Sequence, residues 1–62
     1  MITDRRTQHK FKSELAALME KHNVKSIAPT YDIDIEATFS DGSSFFLCVS
    51  PCEITVDSLT SN

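Results

Sequence analysis

The stretch Tyr31-Asp32-Ile33-Asp34-Ile35-Glu36-Ala37-Thr38-Phe39-Ser40-Asp41-Gly42-Ser43-Ser44-Phe45-Phe46-Leu47-Cys48-Val49-Ser50 decides how this chain folds. From Tyr31 to Phe39, apolar residues alternate strictly with Asp32, Asp34, Glu36 and Thr38. Successive side chains of a strand point to opposite faces, so the spacing predicts a half-buried strand with one apolar face and one acidic face. Ser40-Asp41-Gly42 supplies turn chemistry and the following residues are rich in strand formers, which predicts a hairpin over 31–39 and 43–50.

Loop length sets the register of such a hairpin. A two-residue Asp41-Gly42 loop would place Ile35 opposite Cys48 and leave Phe45, Leu47 and Val49 on the acidic face. A three-residue Ser40-Asp41-Gly42 loop, with Gly42 in a bulge, pairs Phe39 with Ser43, Ala37 with Phe45, Ile35 with Leu47 and Ile33 with Val49. The second arrangement gathers the large apolar side chains on one face and is the expected one. It turns Phe46 and Cys48 outward beside Glu36 and Asp34, an apolar spot in an acidic field.

N-terminal to the hairpin, Phe11, Leu15, Leu18, Met19 and His22 recur at helical spacing and fall within an arc of about 100°. They predict an amphipathic helix over about residues 4–22, starting at Thr3 or Asp4. Asn23 suits the left-handed position after a helix, and Val24 would then touch Met19, the contact of a Schellman close. Residues 24–27 read as a possible short strand, cut off by Pro29, which lacks a ladder donor. Residues 53–58 are ambiguous. Ser50-Pro51-Cys52-Glu53 has the pattern of a helix start, whereas Ile54-Thr55-Val56 is β-branched and favours a turn followed by a short third strand.

These pieces compose an α+β domain, one N-terminal helix packed on an antiparallel sheet of two to four strands in α-β-β-β order. Phe11, Leu15, Leu18, Met19, Ile33, Ile35, Phe39, Phe45, Leu47 and Val49 form its expected core. With 62 residues, 40% of them apolar, the chain is sized for a single domain. A chain this short buries only about 60% of its unfolded surface, so association with a partner or a second copy would help it.

Charge is distributed unevenly. All six basic residues (Arg5, Arg6, Lys10, Lys12, Lys21, Lys25) lie in residues 1–25, with Asp4, Glu14 and Glu20, a local charge of +3. Residues 26–62 carry Asp32, Asp34, Glu36, Asp41, Glu53 and Asp57 and no lysine or arginine, a local charge of −6. Such a segment repels phosphate and attracts basic surfaces. The apolar run Phe45 to Val49 falls far short of the roughly 20 residues that cross a bilayer. No signal peptide is read at the charged start. Two cysteines fall short of a disulfide-dense secreted framework. The cytoplasm is the expected address, with no membrane association.

Cys48 and Cys52 stand four apart, but His9 and His22 point to different sides of the helix and do not complete a four-ligand zinc site. No metal and no cofactor is expected, and the cysteines read as ordinary thiols, one in a strand and one in a turn, with a redox disulfide between them as the alternative. His22, at the helix C-terminus, reads as a packed or capping residue. Gly42 is the single glycine, so no glycine-rich phosphate loop exists. No catalytic residue emerges, and the chain reads as a non-enzyme. The basic helix flank is the one argument for nucleic-acid binding. Its charges spread around the helix and the sheet face is acidic, so nucleic acid is not the expected partner.

Residues 15–24, Leu-Ala-Ala-Leu-Met-Glu-Lys-His-Asn-Val, followed by the 31–43 segment, resemble small helix-then-hairpin accessory proteins of tailed bacteriophages. The resemblance is one of pattern and covers about half the chain. It implies a phage accessory protein, of a kind that includes inhibitors of host enzymes or of antiviral defence, acting in the host cytoplasm. The candidate partner-binding residues are Asp32, Asp34, Glu36 and Phe46. The carboxylates would steer towards a basic host or defence protein, in the manner of a DNA mimic, and the phenyl ring would anchor. The alternatives are a self-assembling structural subunit, a homo-oligomer, and a weak nucleic-acid binder that uses the helix flank.

Overall fold

A computed structural model describes residues 4–61. Helix α1 (Arg5–Lys21) is followed by strand β1 (Ile35–Thr38), strand β2 (Ser44–Cys48) and a short helix α2 (Val56–Thr60). The architecture is α+β, as the periodicities predict, although the fourth element is a helix and the sheet has two strands.

Both ends of α1 follow from its sequence. Asp4 is the N-cap, its carboxylate accepting from the Thr7 N–H at 2.8 Å, which satisfies one of the backbone donors a helix start leaves free. At the other end Asn23 adopts φ +57°. The Val24 N–H donates to the Met19 carbonyl (2.8 Å) and the Asn23 N–H to that of Glu20 (3.2 Å), the paired bonds of a Schellman close.

The buried face of α1 differs from the predicted stripe. Ala16 and Met19 are buried and Leu15 packs beside them, whereas Leu18 is 53% exposed and His22 lies on the surface. The stripe is therefore turned by about 60° at 100° per residue. The cause is α2, which packs against α1 and brings Leu59 to it. Its N-cap is Thr55, whose hydroxyl accepts from the Ser58 N–H (3.1 Å) while the Ser58 hydroxyl accepts from the Thr55 N–H (2.8 Å). This reciprocal capping box overrides the β-branched signal of residues 54–56. The strand expected there is reduced to one antiparallel bridge between Ile54 and Ile27, each N–H donating to the other's carbonyl at 2.8–2.9 Å. That bridge is also what remains of the possible strand at 24–27.

Ala16, Met19, Ile54 and Leu59, each 2% exposed, form the core, with Leu15, Ile35, Leu47, Cys48 and Val56 packed on it. A second cluster holds the hairpin to the front of α1. Phe11 meets Phe39 (5.6 Å between centroids) and Phe45 (6.1 Å) edge to face, and Phe39 stacks on Phe45 at 5.7 Å. Three members of the expected core are surface residues instead: Leu18, Ile33 (56% exposed) and Val49 (59%).

The hairpin explains the last two. Next to the turn the three-residue loop holds: the Phe39 N–H donates to the Ser43 carbonyl (2.8 Å), Gly42 takes φ +91°, and Ala37 faces Phe45. Glu36 faces Phe46. Beyond this pair a β-bulge intervenes, so Ile35 pairs with Cys48 rather than with Leu47, and Ile33 and Val49 lie outside the ladder. Cys48 is consequently directed inward, not outward beside Asp34. Its sulfur is bonded to Cys52, correcting the expectation of two ordinary thiols. On the other strand the Ile33 N–H donates back to the Tyr31 carbonyl (2.8 Å), a tight turn that stops the alternating run at Ile33. The strands therefore span 35–38 and 44–48, not 31–39 and 43–50.

Candidate functional site

The four residues singled out by sequence have different surroundings. Glu36 and Phe46 are cross-strand neighbours on the open face of the hairpin, and Phe46 keeps 54% of its surface exposed although it is a phenylalanine in the middle of a strand. Facing residues of an antiparallel pair sit about 4.5–5.5 Å apart at Cβ, so a partner that covers the ring also meets the carboxylate. Asp34, just before β1, accepts from the Ser50 N–H at 2.8 Å and ties the segment after β2 back to the start of β1. Asp32 lies in the Tyr31–Ile33 turn, off the strand. Glu36 and Phe46 are thus brought together, Asp34 has a structural bond, and Asp32 does not extend the row of carboxylates.

Carboxylates with depressed pKa occur elsewhere. Asp4 is held below its ordinary 3.8 by the Thr7 backbone N–H first and the Thr7 hydroxyl second. Asp41 is lowered by the hydroxyl and then the N–H of Ser43. Both are exposed and serve a helix cap and a turn, so neither marks a reaction site.

A second surface lies at the opposite charge pole. Arg5, Arg6, His9 and Lys12 on α1, with Leu59 and Ser61, line an open cleft of about 580 Å³. Lys12 also places its ammonium 5.5 Å from the centre of the Phe45 ring, a cation–π contact. Arg5, Arg6 and His9 are exposed, and among the described residues the one buried, unpartnered side-chain polar atom is Ser50 Oγ, away from this cleft. Of the basic flank read from sequence, the cleft takes Arg5, Arg6 and Lys12, while Lys10 and Lys21 are not part of its lining.

The Cys48–Cys52 bond, with 5.7 Å between Cα atoms, is the lesser of the two sequence readings of these cysteines. Pairing needs the chain to fold back between positions 48 and 52, which the strand-like alternation up to Ser50 does not announce. Among the described residues no group of His, Cys, Asp or Glu could hold a metal ion, and no helix is long and apolar enough to cross a membrane. Comparisons with protein families, curated proteins and solved structures find no match to this chain.

Proposed function

We propose that this protein works by binding rather than by catalysis, using the outer face of its hairpin to dock on a basic protein surface. The observation that carries the reading is the exposed Phe46 ring directly opposite Glu36, in a half of the chain that contains no lysine or arginine. An aromatic anchor beside a carboxylate pairs buried apolar area with charge steering towards a cationic patch. Asp34 contributes to the same negative field but is also bonded to Ser50, so its part in binding is secondary. The role that suits such a surface is that of a phage-type accessory protein occupying a nucleic-acid-binding or other basic groove of a host or defence protein in the cytoplasm.

The test is affinity capture from a bacterial lysate with the wild-type chain, Phe46→Ala and Glu36→Lys, each checked by circular dichroism to be folded. Neither side chain supports the core, so both variants should fold and both should lose one specific, basic partner. Equal retention by all three would remove the hairpin face from consideration. If the chain retained only copies of itself, a self-assembling subunit would take the place of this reading.

A further inference from the structure

The alternation of the hairpin sequence fits a regular register as well as the bulged one that the structure shows. In the bulged form Ile33 and Val49 are exposed outside the ladder, and the Ser50 hydroxyl is buried with no partner. A bulge-free continuation from the Ala37–Phe45 pair would place Ile35 opposite Leu47 and Ile33 opposite Val49 on the apolar face. It would turn Cys48 and Ser50 to the open face, because side chains alternate along a strand. That form adds ladder bonds, covers two exposed apolar side chains and brings the Ser50 hydroxyl to water. Two interactions oppose it. One is the Asp34–Ser50 hydrogen bond. The other is the Cys48–Cys52 bond. Four residues continuing as strand would span roughly 13 Å, whereas the bonded cysteines are 5.7 Å apart at Cα, so the chain folds back between them. The bond also keeps Cys48 on the inner side, packed against the core, the side opposite to the one the regular register requires.

We propose that the Cys48–Cys52 bond is a redox latch on the register of the hairpin. Reduction by a dithiol transfers two electrons and two protons: the protein S–S bond becomes two thiols while the reductant closes to its own disulfide. Freed from Cys52, residue 48 rotates outward, the bulge at Leu47 is lost and the strands lengthen to 33–39 and 43–49. The binding face then changes, since a thiol joins Phe46 on the open side of the sheet. The latch does not depend on the partner-binding reading, because it concerns the free chain alone.

The experiment compares nuclear Overhauser contacts in the oxidised chain, in the chain reduced with excess dithiothreitol, and in Cys52→Ser, which cannot form the bond under any condition. In the oxidised chain Ile35 should contact Cys48. In the other two samples that contact should vanish, Ile35–Leu47 and Ile33–Val49 contacts should appear, and in the reduced chain iodoacetamide should modify Cys48 several-fold faster than Cys52. Persistence of the Ile35–Cys48 contact in both unbonded samples would overturn the proposal. So would loss of every hairpin contact in both, which would make the bond a plain structural staple.

Discussion

The two ends of this small molecule are built on different principles. Where α1 meets α2 and the Ile27–Ile54 bridge, four side chains are almost wholly removed from water and both helix starts are capped by side chains. In the hairpin no residue of either strand is fully buried, and three half-buried phenyl rings tie it to α1. Burial is thus concentrated at one end, and the other end presents Phe46 and carries a bulge. Elements that bind or move are drawn from the less protected part of a fold.

The sharpest way to break this contrast is to open a cavity at the buried end. Ile54→Ala removes the largest wholly buried side chain, next to the bridge to Ile27. Truncations of this kind cost about 2–5 kcal/mol, against a total stability of about 3–9 kcal/mol for a chain of this length. Urea denaturation should show a larger drop in midpoint than for Phe11→Ala, Thr55→Ala or Phe46→Ala. At the hairpin end, Phe11→Ala removes both edge-to-face contacts and should cost less, about 1–3 kcal/mol, since the ring is only half buried. Hydrogen exchange adds the discriminating readout: amides of Ala37 and Phe45 should lose protection before those of Met19 and Leu59. Simultaneous loss across both ends would mean that the molecule opens as one unit.

Next in size is the cap of α2. Thr55→Ala removes the acceptor for the Ser58 N–H and should cost about 0.5–2 kcal/mol, read as a lower urea midpoint with an unchanged slope. Because α2 carries Leu59 into the core, the loss should fall on the α1–α2 end. A larger effect on the hairpin amides than on those of α2 would contradict the division drawn above.

How much of this was legible in the sequence depended on whether the signals were local. The left-handed Asn23 with its Schellman bonds and the three-residue turn at Gly42 are each specified by two to four neighbouring residues and occur as read, and the helix cap falls on Asp4, one of the two positions the sequence offers. The central Ala37–Phe45 and Glu36–Phe46 pairs followed from the turn. What failed was decided at long range. Ile54-Thr55-Val56 alternates like a strand, yet the Thr55–Ser58 capping box and the seat for Leu59 on α1 make a helix the better use of the segment. Once that helix occupied α1, Ala16 displaced Leu18 from the buried face, because its small side chain lets a neighbouring element approach closely. The bulge could not be read either, since its partner interactions, Cys48 with Cys52 and Asp34 with Ser50, join positions whose juxtaposition the bulge itself creates. The candidate site is half legible: the Glu36–Phe46 pair occurs as the alternation predicts, but Asp32 lies in the turn at which the alternating run stops being strand.

Acid should probe both ends through groups of known sign. The folded-state pKa values of Asp4 and Asp41 are depressed, so the stabilisation each gives is fully present above the ordinary value of 3.8 and is lost as pH falls through the lower folded value. Helicity followed by circular dichroism should therefore decline on the acid side of 3.8. Asp4→Asn, which keeps a cap acceptor without the charge, should flatten the Asp4 share of that decline and leave the share from Asp41. An unchanged acid profile in Asp4→Asn would mean that the cap charge contributes nothing measurable.

The smallest expected effect on stability is the most informative for function. Phe46→Ala and Glu36→Lys alter exposed positions that make no core contact, and surface changes of this kind stay within about 0.5 kcal/mol. For Glu36→Lys the cross-strand partner is an uncharged ring, so no ion pair within the sheet is lost. A hydrophobic side chain whose removal leaves the fold unmoved is available for contact with another molecule, as the proposed docking role of the open face requires. If Phe46→Ala instead lowered stability as much as Phe11→Ala, the ring would be part of the hairpin's own packing, and the case for an anchor on that face would fall with it.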